Sequence, residues 1–292
     1  MKNKIASSEL LLNPDGSIYH LHLKPGQIAK DIILVGDPER VDMIAQFFDT
    51  IEFRSQNREF VTITGNYKDK RITVLSTGIG TDNIDIVINE LDALVNIDLE
   101  KREIKKTKTT LNFIRIGTSG ALQPEIPVNA YLVSQIAIGF DGLMNFYARR
   151  EEFADIQFEE AFKSYTNWNH LLASPYVVNC SEVLFNRIAD NDFIMGITIS
   201  APGFYGPQGR ELRLTIVDRE INSKIESFRY NALEITNYEM ECSAIYGLSK
   251  LLGHQALTIC LIIANRITLQ ASSDYKQLMK LLVKKILDKL TL

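Results

Sequence analysis

Apolar runs of strand length repeatedly end in glycine and are then followed by apolar residues at helical spacing. The apolar run at residues 32–35 is followed by Gly36, and Asp37 is predicted to be the N-cap of the next helix. Residues 72–75 repeat the pattern, and residues 113–116 begin a third copy that continues as further strand. The alternation predicts an α/β fold that binds its ligands at strand ends.

The rest of the chain extends this pattern. Thr81 or Asp82 is expected to cap the second helix, and the charge-rich segment 101–110 is expected to be exposed. Later elements are, in chain order, a strand at 196–200, a loop at 204–210, a buried helix at 240–252 closed by Gly253, a buried strand at 257–264 and an amphipathic helix from Ser273 or Asp274.

Length and composition favour one α/β domain spanning residues 1–292. The chain is 46% hydrophobic and can bury a large core. Its net charge of -4 disfavours a nucleic-acid binder, which usually carries a basic surplus. No apolar run is long enough to span a bilayer, and the N-terminus lacks a signal-peptide pattern. Together with the three widely spaced cysteines, these features predict a cytoplasmic protein that binds neither membranes nor nucleic acids.

Several familiar motifs for cofactors and nucleophiles are missing from the sequence. It contains no P-loop, no G-x-G-x-x-G dinucleotide fingerprint and no G-x-S-x-G elbow. The histidines do not cluster with carboxylates at metal-ligand spacings, so no metal site is predicted. The remaining candidates are polar side chains at the predicted strand ends.

Arginines near the glycine-ended strands predict an anion site. Arg40 lies one helical turn beyond Gly36, where the N–H groups of the helix start also face outward. Arg115 precedes a glycine and Thr118 at another strand end, and Arg58 is a third candidate. Taken singly, each arginine has the alternative of an ordinary surface residue or a salt bridge. Their distribution over several strand ends favours a small tetrahedral anion such as phosphate.

The loop at 204–210 carries the groups that recognise a flat heterocycle. Phe204 offers a stacking face, Gln208 offers a donor and an acceptor, and Arg210 offers a rigid fork of donors. A pyrimidine base presents the complementary surface. The alternative is a Gly- and Pro-rich turn that carries polar residues only for solubility.

The segment 237–242 is read as a helix start that carries two glutamates. Glu239 and Glu241 would not share a helix face, so only one is expected to be buried against a ligand. Small residues follow Glu241 and favour its burial, and sugar hydroxyls are good partners for a buried carboxylate. The alternative is a glutamate that only interacts with the helix macrodipole.

Taken together, the motifs resemble those of a known family. They are, in chain order, Gly36-Asp37-Pro38-Glu39-Arg40-Val41, Ser76-Thr77-Gly78-Ile79-Gly80, Arg115-Ile116-Gly117-Thr118, Phe204-Tyr205 with Gln208 and Arg210, Asn237-Tyr238-Glu239-Met240-Glu241, and Asn265-Arg266. From about His20 to Arg266 the chain resembles the uridine phosphorylases of the nucleoside phosphorylase superfamily. The resemblance implies a single α/β domain with a central mixed, barrel-like β-sheet flanked by α-helices.

The resemblance also implies an activity and a set of site residues. A pentosyltransferase of pyrimidine salvage would split uridine with phosphate into uracil and ribose 1-phosphate without a cofactor, with deoxyuridine and thymidine left open as substrates. The implied phosphate ligands are Gly36, Arg40, Arg115, Thr118 and, from a neighbouring subunit, Arg58. The implied nucleoside ligands are Phe204, Gln208, Arg210, Glu239, Met240, Glu241, Arg266 and, from the neighbour, His20. Arg210, Glu241 and Arg115 would act in catalysis, and the shared sites imply at least a homodimer, with a hexamer left open.

The chain departs from the family pattern in three places. In the loop at 204–210, called the base loop below, Gly206-Pro207 replaces the usual Pro-Gly order, which leaves the turn geometry open. Thr81-Asp82-Asn83 follows Gly80 where relatives usually have Gly-Pro-Ser. In some relatives that serine and a glutamate bind a monovalent cation, and binding of such an ion near Glu59 and Asn83 is left open. The segment 101–110 reads as an insertion, and it leaves the choice between a dimer and a hexamer open.

Three alternative functions remain to be weighed. A purine nucleoside phosphorylase of this fold typically has an aspartate near the position of Arg266 to protonate the purine ring. A nucleoside hydrolase would not need arginines arranged for phosphate. A non-catalytic nucleoside-binding protein would be expected to have lost Arg40, Arg115 or Glu241, and this chain has all three.

Overall fold

One large mixed β-sheet runs through the protein in this computed structural model, which describes residues 4–292. Residues 1–3, which belong to the N-terminus expected not to be a signal peptide, lie outside the described residues. The domain boundary of 1–292 stays a prediction. Among the described residues, no helix has both the length and the hydropathy needed to cross a membrane.

The strands are β1 (Asp31–Val35), β2 (Thr50–Asn57), β3 (Phe60–Tyr67), β4 (Lys70–Ser76), β5 (Ile97–Asp98), β6 (Glu103–Ile104), β7 (Asn112–Ala121), β8 (Tyr131–Gly139), β9 (Tyr176–Asn179), β10 (Phe193–Ser200), β11 (Arg229–Tyr230), β12 (Leu233–Glu239), β13 (Gln255–Asn265) and β14 (Gln270–Ala271). The α-helices are α1 (Pro38–Ala45), α2 (Thr81–Asn96), α3 (Ile156–Thr166), α4 (Glu182–Ile188), α5 (Ile221–Ser227), α6 (Cys242–Leu252) and α7 (Tyr275–Leu290). Short 3-10 turns lie at Leu143–Phe146, Arg150–Glu152 and Gly206–Gln208.

The sheet closes on itself in its central part. Its strand order is β11-β12-β10-β8-β13-β7-β1-β4-β3-β2, and β12 also pairs antiparallel with β7. Strands β7, β13, β8, β10 and β12 therefore form a closed ring, called the barrel below. Both parallel and antiparallel pairs occur around it. The predicted α/β fold with a mixed, barrel-like sheet is confirmed.

The predicted strand–glycine–helix units are present at both β1 and β4. Asp37 caps α1 by accepting a hydrogen bond from the Glu39 backbone N–H at 3.0 Å. At the second unit, the prediction that Thr81 or Asp82 caps the helix was wrong. Gly80 occupies the N-cap position with φ 100°, and it leaves both predicted caps inside the first turn.

Helix α6 begins later than the sequence pattern indicated. The segment 237–239 belongs to strand β12, and the helix starts at Cys242 rather than at residue 240. Its end is as predicted, because Gly253 adopts a left-handed φ of 79° and closes the helix. Every residue from Cys242 to Ser249 is buried, so α6 forms one wall of the core beside the barrel.

The outer elements bury one face and expose the other. In α7 the side chains of Leu282, Ile286 and Leu290 are buried in the main core, as the amphipathic pattern predicted. A second core under α3 and α5 is rich in phenylalanine. The segment 101–110 is mostly exposed, as expected, and contributes only the short strand β6.

Candidate active site

The ends of parallel strands bring the predicted site residues to neighbouring places. Strand β1 pairs in parallel with both β4 and β7, with Leu34 opposite Arg115 in the second pair. Strands β10 and β12 also pair in parallel, with Ser200 opposite Glu239. The predicted anion, sugar and base groups lie on these strands or directly after them. The expectation that Arg115 and Thr118 lie at a strand end was wrong, because β7 continues to Ala121 and holds both. Glu239 is the last residue of β12, and the base loop and Glu241 follow their strands.

A buried ion-pair cluster lies at the centre of these strand ends. Arg115, Glu239 and Glu241 are each 5% exposed or less. The Nη2 atom of Arg115 donates to Glu241 Oε2, and its Nε atom lies 3.3 Å from Glu239 Oε2. Both glutamates are buried in the protein, and the expectation that only one of them faces a ligand stays a prediction. The helix-face argument behind it was wrong, because these residues lie at a strand end and in the following turn.

Arg115 still has donors to offer. Its Nε and Nη1 atoms are buried, and neither has a hydrogen-bond partner among residues 4–292. Buried donors in native proteins are nearly always satisfied, so unsatisfied ones point to a missing ligand. An anion that accepts from Arg115 would satisfy these donors. Because Glu239 and Glu241 already balance the guanidinium charge, the positive charge that an anion needs comes from Arg40, whose Nη1 atom bonds to the carbonyl oxygen of the residue after Arg115.

Glu241 is held in a setting that brings its titration close to neutral pH. Its Oε1 atom accepts a hydrogen bond from the Gly80 backbone N–H at 2.7 Å. Burial raises the pKa of Glu241 to about 7, although Arg115 opposes the rise and the charge of Glu239 adds to it. The carboxylate can therefore accept hydrogen bonds when it is ionised at neutral pH and above.

Glu239 makes its hydrogen bonds within the protein. Its carboxylate accepts from Ser200 Oγ at 2.5 Å, from the Glu241 N–H at 2.9 Å and from the Cys242 N–H at 2.9 Å. Met240 lies half-buried between the two glutamates. The roles of Glu239 and Met240 as nucleoside ligands stay predictions.

The predicted phosphate ligands lie on elements that meet beside Arg115. Arg40 is half-buried, and its Nη1 atom donates to the Ile116 carbonyl oxygen at 3.3 Å. Burial lowers the pKa of Arg40, and the charge of Arg115 acts in the same direction. Arg40 bonds to the carbonyl oxygen of the residue that follows Arg115, so the two cations lie side by side and an anion between them would be favoured. Thr118 and Gly36 are half-buried near the same strand ends.

Glycine is needed at position 78, where the turn between β4 and α2 packs against the turn between β2 and β3. Gly78 has a left-handed φ of 71°, and a Cβ built on it would come within 2.4 Å of Asn83 Nδ2 and 3.1 Å of Glu59 Cγ. Asn83 and Glu59 therefore both pack against Gly78. Among the described residues, no three His, Cys, Asp or Glu side chains are grouped so that they could hold a metal ion.

The base loop brings together the three residues predicted to bind a heterocycle. The Arg210 guanidinium carbon lies 3.9 Å from the centre of the Phe204 ring, in cation–π geometry. Its Nη1 atom donates to Gln208 Oε1 and to the Phe204 carbonyl oxygen, both at 2.6 Å. Gln208 is 3% exposed and Phe204 is 52% exposed, so the loop offers a fixed amide beside an accessible ring.

A second arginine fixes this loop from below. The Nη1 atom of Arg266 donates to the Gln208 carbonyl oxygen at 2.6 Å, and Asn222 Nδ2 donates to the same oxygen at 3.2 Å. Tyr238 supports both side chains: its hydroxyl donates to Asn222, and its ring lies under Arg266. Sequence reasoning missed Asn222 and Tyr238. The position of Tyr238 inside the motif at 237–241 could have indicated a role at the site. No sequence pattern pointed to Asn222.

His20 and Arg58 lie close together on the protein surface. The His20 ring Nδ1 is 2.6 Å from Glu90 Oε1 in α2. The His20 carbonyl oxygen accepts from Asn57 Nδ2 at 2.7 Å, and Asn57 immediately precedes Arg58 at the turn between β2 and β3. Arg58 is exposed and has a left-handed φ of 54°. The structure thus joins in one patch the two residues that were expected to serve a neighbouring subunit.

A large cavity adjoins the base loop on its outer side. Its volume is about 860 Å³, and its walls include Tyr205 and Arg210 from the loop. Trp168, Leu172 and Leu214 make much of the remaining surface apolar. No sequence pattern indicated this cavity, because its walls come from segments far apart in the chain.

Comparison with known proteins shows the family to which the chain belongs. The sequence model of the phosphorylase superfamily matches residues 30–288. The uridine phosphorylase of Thermococcus kodakarensis is 31% identical over 274 residues, which cover 92% of this chain and 84% of that protein. The DeoD-type purine nucleoside phosphorylase of Listeria monocytogenes is 27% identical over 241 residues, which cover 82% of this chain and 84% of that protein.

A solved structure is also similar over nearly the whole chain. A Trypanosoma brucei nucleoside phosphorylase that shows uridine phosphorylase activity superposes with a TM-score of 0.85 at 31% identity, covering 97% of this chain and 99% of its own. The chain therefore belongs to the phosphorylase superfamily. The family resemblance found in its motifs is confirmed.

Proposed function

We propose that this protein catalyses the phosphorolysis of uridine, giving uracil and ribose 1-phosphate in nucleoside salvage. One observation carries the proposal. The parallel pairing of Ser200 with Glu239 makes the base loop and Glu241 leave the sheet at adjacent strand ends. A pyrimidine on the base loop would then have its sugar beside Glu241 and the Arg115 donors.

The chemistry follows from where the charges lie. Phosphate held by Arg40 and Arg115 attacks the anomeric carbon as the glycosidic bond breaks. Glu241 accepts a hydrogen bond from a sugar hydroxyl, and this bond strengthens as positive charge develops on the ribose. The departing uracil carries negative charge, which Arg210 and Gln208 stabilise more in the transition state than in the ground state. Phosphate is the co-substrate, and the scheme uses no organic cofactor or metal.

Arg266, which bonds to the base loop, favours uracil over a purine as the leaving base. Arg266 keeps its proton and donates to the Gln208 carbonyl oxygen, so it does not act as the acid that a departing purine needs. The names of the Thermococcus and Trypanosoma relatives support the same choice. The two cations Arg40 and Arg115 favour phosphate over water as the nucleophile.

The proposed enzyme is at least a homodimer with two shared sites. The support is the surface patch of His20 and Arg58, since both residues would reach the site of a neighbouring subunit. A cytoplasmic location fits the three cysteines, which are all buried thiols.

Uracil release from uridine, measured with and without phosphate, tests the proposal. Inosine and thymidine serve as parallel substrates. The expected result is phosphate-dependent release of uracil, with inosine a much poorer substrate. Release without phosphate would indicate a hydrolase, a preference for inosine would indicate a purine enzyme, and binding of uridine without turnover would indicate a sensor; each result would overturn the proposal.

A further inference from the structure

The N-terminus of α6 is capped in an unusual way. Glu241 occupies the N-cap position, where a side chain ordinarily accepts from the first N–H groups of the helix. The Glu241 carboxylate makes no such bond. It turns away from its helix toward Gly80 and Arg115. Some other group has to satisfy the first N–H groups.

Glu239 supplies that group from two residues earlier. Its carboxylate accepts from the N–H of Glu241 and from the N–H of Cys242, the first residue of α6. The same carboxylate accepts from Ser200 Oγ, and Ser200 Oγ accepts in turn from the Ser243 N–H at 2.8 Å. Glu239 and Ser200 together therefore hold the N–H groups of three consecutive residues, 241–243.

The Glu239 carboxylate has little capacity left for a ligand. A carboxylate offers about four lone-pair sites. Here three donors occupy it, and the Nε atom of Arg115 faces it at 3.3 Å. Because Glu239 is 4% exposed, a ribose hydroxyl could bond to it only by displacing one of these groups.

We propose that Glu239 is a positioning residue, which fixes the first turn of α6 and the Arg115 side chain so that the carboxylate of Glu241 is held toward the ribose. This inference rests on the proposed function for the role of Glu241. It assigns Glu239 a role different from the direct ribose ligand that the motif resemblance implied. Ser200, at the end of β10, is a second positioning residue, because its hydroxyl donates to the Glu239 carboxylate and fixes it.

A double-mutant cycle separates positioning from direct binding. Glu239→Gln keeps the shape of the side chain but places an amide donor against backbone N–H groups. We expect kcat/KM for uridine to fall by about 10- to 100-fold in Glu239→Gln, and by no more than about threefold further when Glu239→Gln is added to Glu241→Gln. A residue that acts through Glu241 has little left to lose once Glu241 is changed. Losses that multiply in the double variant would mean independent ribose binding and would overturn the inference.

Hydrogen exchange provides a second readout that does not depend on activity. In the ligand-free protein, the amides of residues 241–243 should exchange at least about tenfold faster in Glu239→Gln than in the wild type. Unchanged protection would overturn the positioning role. The proposed function can fail separately, since a wild-type protein inactive on uridine would leave this measurement decisive for Glu239.

One further variant tests the same contact from Ser200, and another is a negative control for the loss of a glutamate charge. Ser200→Ala removes one donor from Glu239 and the acceptor of the Ser243 N–H without altering charge, and it substitutes for Glu239→Gln if that variant does not fold. It should speed exchange at residues 241–243 and lower kcat/KM by about threefold or more, with almost no added effect beside Glu241→Gln. Glu160→Gln, at an exposed position of α3 with its side chain 65% accessible, is the matched control and should leave both readouts unchanged.

Discussion

Replacing Arg210 by alanine should slow uridine phosphorolysis severely while leaving the protein folded. In the free protein the guanidinium lies over the Phe204 ring and donates to Gln208 Oε1, which holds the fork of donors beside the ring on which a base would stack. The charge that develops on departing uracil is the interaction that the variant loses. The loss should therefore be larger in kcat than in binding of the intact nucleoside.

The magnitude follows from the number of donors removed. One donor aimed at a developing oxyanion is typically worth about 3 kcal/mol, or about 10²-fold in rate. Loss of the fork also releases Gln208 Oε1 from its bond, so a total decrease of about 10²- to 10³-fold in kcat is expected. The free energy of unfolding should fall by about 1–3 kcal/mol, because the substitution removes the cation–π pair and leaves Oε1 of the buried Gln208 without its donor.

Uracil formation at saturating phosphate measures the effect, and urea unfolding checks the fold. Arg210→Lys should recover only part of the rate, since an ammonium group supplies charge without the planar fork. The matched control is Arg229→Ala, which removes an exposed arginine paired with Glu234 at 2.9 Å and should leave turnover unchanged. A kcat within about threefold of the wild type in Arg210→Ala would refute the assignment of the base site.

Three other predictions follow from the ion-pair cluster and the surface patch. Arg115→Met leaves two buried carboxylates without their cation and should lower the free energy of unfolding by about 3–5 kcal/mol in urea titrations; an unchanged midpoint would contradict the buried pairing. Because burial raises the pKa of Glu241 to about 7, kcat/KM should fall as the pH drops below that value. The charge of Glu239 raises the pKa of Glu241, so in Glu239→Gln the decrease in kcat/KM should occur at lower pH than in the wild type. A decrease caused by titration of phosphate itself would occur at the same pH in both. Arg58→Ala should raise the KM for phosphate about tenfold or more, and mixing it with Glu241→Gln subunits should restore activity; no restoration would argue against shared sites.

Local patterns predicted the parts of the fold that local interactions determine. The apolar run of β1, its terminal glycine and the Asp37 cap are adjacent in sequence, and they form the predicted strand, turn and helix. The residues of the base loop were also recognisable, because their chemistry and spacing lie within one short segment. Their arrangement around Arg266 and Asn222 depends on contacts between distant segments, and no local pattern carried that information.

The misread segment 237–239 shows where local reasoning fails. A buried strand is ordinarily apolar, whereas this part of β12 carries Asn237 and Glu239 in the interior. Both are accommodated because other strands supply partners: Asn237 Nδ2 donates to Ser119 Oγ at 2.6 Å, and Ser200 donates to Glu239. Without those partners in view, two polar residues followed by an apolar helix look like a helix start.

Closure of the barrel is what places the site residues. Strand β12 pairs with β7 through Asn237 opposite Ala121 and Tyr238 opposite Gly120. Because side chains alternate along a strand, this register turns Glu239 toward Arg115 and turns Tyr238 the other way, under the arginine that holds the base loop. A slip of one residue would exchange the two faces, separating Glu239 from its cation and removing the support of the base loop. The register of one strand pair therefore sets both the sugar half and the base half of the proposed site.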